Sequence, residues 1–333
     1  MPSGAQRGGT ALVTGIAGQD GSFLAELLLE RGYRVLGAVR GTREDHLGAA
    51  EHLHGSVEIL HADLLDARSL TAAVADTRLD ELYHLAAPSF VPDSWEQPAQ
   101  TILAIARATA TLLEAVRDRS PHTRVFVATS SMIFGDAPES PQREDTPCRP
   151  LNPYATSKLA GHQLVGQLRD HAGIFACSGI LYNHESERRP ESFVTRKITR
   201  AAAAIKLGLE REVLLGDLSA VRDWSFAGDV VRGAWLMLQQ DSPGDYILAS
   251  GVGRTVQEFA DAAFARVGLN AADHIRIDPG LVRRDEATPQ VGDPTRARTR
   301  LGWNHTLGFE QLVERMVDAD LNALSARASP RGE

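Results

Sequence analysis

Along the first half of this chain, short apolar runs alternate with stretches of helical spacing, and that alternation constrains the fold more than any other feature. "TALVTG", "YRVLGAV", "VEILHADLLD", "ELYHLAA" and "TRVFVATSS" read as five strands. "GSFLAELLLERG" and "SLTAAVADT" repeat apolar residues at helical intervals, as does an Ala-rich stretch from about Gln97 to Arg117. Strands that are nearly all apolar and separated by helices predict an α/β fold, a doubly wound parallel sheet covered on both faces. A further long helix runs from about Tyr154 to Ala172, and "IFACSGILYN" returns as a strand. After Asn183 the pattern breaks into loops, the helix "VTRKITRAAAAIKLG" and a short strand "EVLLG".

The turn after the first strand, "VTGIAGQDG", carries Gly15, Gly18 and Gly21. One glycine makes the tight turn, a second admits a pyrophosphate against the backbone, and a third lets helix and strand pack closely. The free N–H groups of the helix start then face the phosphates. The second strand ends in "GAVRGTRED", where the first charged residue is Arg40, with Arg43 close by. An acidic residue there suits NAD; an arginine suits a 2′-phosphate, so the sequence favours NADP over NAD. Asp63 and Leu64 follow the third strand, and Leu85, Ala86 and Ala87 the fourth, flanking adenine and the nicotinamide ribose respectively.

"PYATSK" places Tyr154 and Lys158 four residues apart at a helix start, on one face. A neighbouring ammonium favours the phenolate, so the tyrosine can exchange a proton near neutral pH. Ser130, at the end of the fifth strand, can share a substrate hydroxyl with Tyr154. His46, His52, His54 and His61 cluster in sequence but fit no closed metal spacing, and no metal is expected.

The net charge of −8 gives no general attraction to nucleic acid or to acidic membranes. No apolar run in the sequence approaches the roughly 20 residues that span a bilayer, and the start of the chain lacks the apolar core of a signal peptide. Cys148 and Cys177 make no disulfide framework. These readings make the expected location cytoplasmic.

Several blocks carry a specific resemblance. "TGIAGQDGSFLAELLLERGYRVLGAVR", "YNHESERRPESFVTRKIT" and "VRDWSFAGDVV" are similar to the extended short-chain dehydrogenase/reductases that modify nucleotide sugars, and among them to the GDP-mannose 4,6-dehydratases. The resemblance spans almost the whole chain. It implies an NADP-binding Rossmann domain over 8–182, its sheet completed by parts of 222–250. A smaller α/β domain for the sugar nucleotide, over 183–325, is interleaved with it. By the same resemblance Gln19, Asp20, His184 and Arg189 join the cofactor site. Ser89, Asn183, Glu185, Val194, Lys197, Gly216, Arg222, Arg283 and Glu286 fall in the sugar-nucleotide site, where two arginines suit a diphosphate. The substrate implied is a GDP-hexose. Relatives dimerise through the Ala-rich and Tyr154 helices, which implies a homodimer or homotetramer.

Three positions depart from that family, and one of them bears on the chemistry. The family's strand-five motif reads Ser/Thr-Ser-Glu, and here Met132 stands at the Glu. In a dehydratase the tyrosine deprotonates O4 as C4 is oxidised, and the carboxylate then removes the C5 proton and assists loss of the C6 hydroxyl. A thioether exchanges no proton. Elimination is therefore expected to be weak or lost, and Asp136 is one carboxylate that could substitute. Ala104 stands where the family has Asn, and Asp217 where relatives usually carry Asn. Epimerisation at C4 and plain C4 dehydrogenation or ketoreduction remain open, since neither requires that Glu. A non-catalytic NADP-sensing protein is the alternative from another class; such proteins generally lose the Tyr/Lys pair.

Overall fold

The computed structural model describes residues 8–41, 46–75, 77–282 and 289–328. Arg43, Arg283 and Glu286 lie outside the described residues. The strands in chain order are β1 (Thr10–Thr14), β2 (Arg34–Val39), β3 (Glu58–His61), β4 (Glu81–His84), β5 (Arg124–Ala128), β6 (Ala176–Leu181), β7 (Asn183–Glu185), β8 (Val213–Leu215), β9 (Val221–Phe226), β10 (Tyr246–Leu248), β11 (Gly253–Thr255) and β12 (Ile275–Ile277). Seven of them form one sheet in the order β10-β6-β5-β4-β1-β2-β3, every neighbouring pair parallel. β11-β9-β7 and β12-β8 form two small satellite sheets.

The main sheet is apolar on both faces because both are covered. In β1, Ala11 and Val13 enter one cluster with Leu24, Leu28, Tyr83, Phe126 and Trp303, while Leu12 enters the other with Leu36, Leu82, Leu112 and Val116. That is the period-two alternation of a strand with a core on each side. A third cluster, around Trp224, Phe259, Phe264 and Met316, lies beneath the satellite sheets. Trp224 is 3% exposed and packs 5.1 Å from Phe259 and 6.3 Å from Phe309, ring centroid to centroid, as a core residue.

The helix Pro153–Ala172 begins where the sequence marks it. Asn152 Oδ1 accepts from Ala155 N at 2.8 Å, Pro153 fills the first turn, and Gly173 closes the helix at φ +67°. The Ala-rich helix runs continuously over Pro98–Arg119 and loosens into a π-turn at Leu103–Arg107. By length and composition alone it could cross a membrane, contrary to the reading of the sequence; half of it is buried, and it packs against the helices Ala67–Ala75 and Pro153–Ala172.

The order of the sheet reverses between β1 and β4. Parallel strands on either side of such a point send their loops in opposite directions, which leaves a crevice at their carboxyl ends. A cleft of about 1440 Å³ opens there and extends over β7, β8 and β9.

Candidate active site

The glycine turn is shaped by close approach. Gly15 has φ +76°, and a Cβ there would sit 2.9 Å from Ala86 N; a Cβ on Gly21 would sit 2.2 Å from Gly15 O. Gly18 caps the helix Gln19–Glu30 with its backbone, with no side-chain hydrogen bond, so the first N–H groups remain directed at the cleft. The turn is braced from β4. Thr14 Oγ1 accepts from Leu85 N and Ala86 N, each at 3.2 Å, and therefore gives its own proton to His84 Nδ1 at 2.9 Å. Burial, aided by the Lys158 charge, lowers the pKa of His84 to about 3 and keeps it neutral. Sequence reading missed this Thr14–His84 brace; its only trace is a hydroxyl residue in "VTG" and an imidazole in "YHLAA".

A second brace ties the glycine turn to the strand beyond the main sheet. Gln19 Nε2 donates to His184 O at 3.0 Å, and Ser186 Oγ donates to Gln19 Oε1 at 2.8 Å. His184 Nε2 meets Asp20 Oδ2 at 2.8 Å, and His184 Nδ1 meets Tyr182 O at 2.7 Å. Burial acts to raise the pKa of Asp20, but the charge and hydrogen bond of His184 outweigh it and hold the carboxyl below its ordinary value. Arg189 lies over the Phe193 ring at 3.6 Å. Its Nε is 3.2 Å from Glu185 Oε2 but off the angle for a hydrogen bond, which leaves a buried donor with only an electrostatic contact. Glu185 accepts instead from Thr195 Oγ1 at 2.6 Å.

Tyr154 and Lys158 are both buried, at 8% and 7% exposure. Lys158 Nζ donates to Ala128 O at 2.7 Å and lies 5.9 Å from the centre of the Tyr154 ring. Burial lowers the pKa of Lys158 to about 8, with Asp20 acting against it. Burial raises that of Tyr154, while a hydrogen bond from Ser130 works to lower it. Ser130 Oγ also accepts from Met132 N at 3.2 Å, closing the turn Ser131–Ile133. Met132 is half-buried on the cleft wall and joins none of the apolar clusters, so it is not filling the core.

Every candidate among the described residues except Asp136 lines this one cleft. Gly15, Gly18, Gln19, Asp20 and Gly21 line it from the glycine turn, Arg40, Asp63 and Leu64 from the ends of β2 and β3, and Leu85, Ala86, Ala87 and Ser89 from the loop after β4. Ser130, Met132, Tyr154 and Lys158 line it from the end of β5 and the helix Pro153–Ala172, and Asn183, Glu185, Arg189, Val194, Lys197, Gly216 and Arg222 from the chain after β6. Ala104 also lines the cleft, within the π-turn. Asp136 does not, so the carboxylate suggested as a substitute stands elsewhere. Gln290 was not anticipated: it lines the cleft, bridges to Arg222, and its Oε1 lies 3.4 Å from Ser131 Oγ. Of the clustered histidines, His46 also borders the cleft, and all four are exposed. Among the described residues no group of three or more His, Cys, Asp or Glu is placed to hold a metal ion, and Cys148 and Cys177 are free.

The glycine cradle, the unblocked helix start and the buried Arg189 donor together fit a dinucleotide. Solved structures share this architecture. The UDP-glucose 4-epimerase of Thermus thermophilus, in complex with NAD, superimposes with a TM-score of 0.81 at 27% identity, covering 94% of this chain and 99% of that one. RMD from Pseudomonas aeruginosa, complexed with NADPH, matches with a TM-score of 0.80 at 23% identity over 94% and 99% of the two chains. Fold and cleft thus define an enzyme of the extended short-chain dehydrogenase/reductase type. The GDP-mannose 4,6 dehydratase family profile matches residues 12–316. GDP-mannose 4,6 dehydratase 1 of Arabidopsis thaliana is 46% identical over 323 residues, covering 93% of this chain and 89% of the relative. GDP-mannose 4,6-dehydratase of Vibrio cholerae serotype O1 is 38% identical over 354 residues, covering 96% and 95%. The chain belongs to the GDP-mannose 4,6-dehydratase family, and so is a nucleotide-sugar enzyme that uses a nicotinamide cofactor.

Proposed function

We propose that this enzyme interconverts the C4 hydroxyl and C4 ketone of a GDP-hexose with NADP, and that elimination of water across C5–C6 is weak or lost. One observation carries the reading: Met132 lies on the cleft wall two residues from Ser130, whose hydroxyl is near enough to Tyr154 to work against the rise in its pKa. The bound nicotinamide supplies hydride transfer at C4. Tyr154 takes or returns the proton at O4, and Ser130 holds that oxygen. Lys158, fixed by Ala128 O, places a cation beside the phenol and stabilises its anion. Arg40, at the end of β2 and on the cleft, supports a 2′-phosphate and hence NADP. Asn183, Glu185, Val194, Lys197, Gly216 and Arg222 are suited to the sugar nucleotide, with Arg222 and Lys197 balancing its diphosphate. Exposed Trp95, Ile102 and Leu103 on and before the Ala-rich helix support association into a homodimer or homotetramer.

Elimination needs a group that can accept the C5 proton and give one to the departing C6 hydroxyl. Loss of such acid–base help costs roughly a hundred- to ten-thousandfold in rate. Product analysis with NADP and GDP-mannose tests the reading. Formation of a 4-keto-6-deoxy product at least about a hundredfold slower than by the Arabidopsis relative supports it; an equal rate overturns it. The same product analysis distinguishes a C4 epimer, the reading favoured if the ketone is reduced from its other face.

A further inference from the structure

We propose that the sugar accepted by this cleft already lacks its C6 hydroxyl. The ligand is a GDP-6-deoxyhexose, and Met132 is the residue that selects it; this rests on the C4 reading above.

Met132 is held in place by its backbone. Its N–H donates to Ser130 Oγ, and its carbonyl accepts from Gly135 N at 3.2 Å, so its side chain leaves the wall at a fixed position beside Ser130 and Tyr154. Position 132 is the one from which, by the resemblance, a glutamate serves C5 and C6, so with O4 held by Ser130 and Tyr154 as proposed above, the methionine faces that end of the sugar. A thioether there donates no hydrogen bond and accepts only a weak one. A C6 hydroxyl would be stripped of water and left without an equivalent partner, whereas a methyl group loses nothing and gains contact with a polarisable side chain.

The rest of the wall offers few carboxylates in its place. Five carboxylates line the cleft among the described residues, and four are engaged where they stand. Asp20 holds His184, Asp63 accepts from Leu65 N, Glu185 accepts from Thr195, and Asp217 accepts from Ser219. The fifth, Asp93, sits in the short helix Asp93–Glu96 on the far side of Phe90 in sequence. A site that has lost the group to expel a C6 hydroxyl, and that offers a thioether where that group stood, is matched to a sugar whose C6 hydroxyl has gone. The substrate must then be supplied by a separate dehydration, of the class for which this cleft lacks acid and base.

Calorimetry on the NADPH-saturated protein tests this, since the reduced cofactor makes ligands with a C4 hydroxyl inert. GDP, GDP-mannose and GDP-6-deoxymannose are titrated into the natural protein and into Met132→Glu and Met132→Leu. Preference for the 6-deoxy ligand by roughly 10- to 100-fold, kept in Met132→Leu and abolished or reversed in Met132→Glu, supports the proposal. Equal or tighter binding of GDP-mannose by the natural protein overturns it, as does an undiminished preference in Met132→Glu. Failure of GDP itself to bind strikes the GDP-hexose reading as well, and so separates the two.

Discussion

His184 presents both ring nitrogens to oxygen, Nδ1 to the Tyr182 carbonyl and Nε2 to the Asp20 carboxylate. Both partners accept, so both nitrogens carry protons and the ring is an imidazolium. Burial acts to lower its pKa, but the Asp20 charge and hydrogen bond win, and the net shift is upward from 6.5. The stabilisation from His184 is complete below 6.5 and is lost as pH rises through its higher folded value; that from Asp20 is present above 3.8 and is lost as pH falls through its lower folded value. The pair therefore contributes most in mildly acid solution. Asp20→Asn should cost about 1–3 kcal/mol at about pH 5.5 and less at about pH 9. Thermal melts at the two pH values check it, and a deficit that ignores pH would count against the ion pair.

Lys158 carries a stability cost at the proposed catalytic pair. Folding carries its ammonium into a buried site, so the charged form is disfavoured and the pKa falls from 10.5 to about 8. The sign follows: the cost is full below about 8, shrinks as pH rises, and is gone above 10.5. At 1.36 kcal/mol per pH unit that cost is roughly 3 kcal/mol, against about 1 kcal/mol for the hydrogen bond to Ala128 O. Lys158→Met should therefore be more stable than the natural protein near neutral pH while losing activity. The gain should narrow by about pH 9.5. Denaturant melts and initial rates on one preparation test both halves.

How much of this could be read from the sequence depended on range. Strands β1 to β6 and the capped helix Pro153–Ala172 declare themselves because their signals are local: apolar runs, Asn-Pro before a helix, Gly after it. The glycine turn and the Tyr154–Lys158 pair are legible for the same reason. The edge strand β10 carries no such local signal and entered only through the resemblance, within 222–250, because Tyr246–Leu248 is three residues long and its partners in β6 lie 67 positions away. The β8–β12 pairing was hidden likewise. Buried Asp223 is a further case. Its carboxylate accepts from Ser250 N, Gly251 N and Gly292 N, and that latch seats the segment carrying Gln290 against the cleft. Nothing in "VRDWSF" advertises three partners that arrive from two distant loops. The π-turn at Leu103–Arg107 also escaped, since its residues are ordinary helix formers and the bulge is imposed by packing.

The cofactor cradle makes a steric prediction. A methyl group at position 21 would meet Gly15 O at 2.2 Å, with Ile16 Cα at 2.5 Å, and both are backbone atoms that cannot rotate away. Gly21→Ala should lose about 1–3 kcal/mol of stability and weaken NADPH binding at least about tenfold, because the displaced turn no longer presents its amides. Fluorescence titration of NADPH measures the second effect. Unchanged affinity would mean that the turn does not hold the pyrophosphate.

The proposed preference for NADP places a second prediction on Arg40. A guanidinium that meets a 2′-phosphate gives up about 1.5–3 kcal/mol of charge-assisted hydrogen bonding when removed, or roughly ten- to a hundredfold in affinity. Arg40→Ala should weaken NADPH by that factor and leave NADH nearly unchanged. Parallel titrations of the two reduced cofactors check it, and an equal loss for both would assign Arg40 to the shared part of the molecule instead.

Restoring a carboxylate at position 132 is the most direct test of why this chain departs from its family. The backbone there is already set by Ser130 Oγ and Gly135 N, and the side chain already faces the cleft, so glutamate enters without rebuilding the wall. It would stand beside the Ser130–Tyr154 contact, in reach of the proton made acidic by a C4 ketone. Acid–base help of roughly a hundred- to ten-thousandfold should then return to the elimination step. Met132→Glu should form a 4-keto-6-deoxy product from GDP-mannose at least about a hundredfold faster than the natural protein, with C4 hydride transfer changed far less. Product ratios from one reaction separate the two steps. If the variant folds, binds NADPH and shows no such gain, the sulfur at position 132 is not what limits elimination, and the missing group must be sought elsewhere along the cleft.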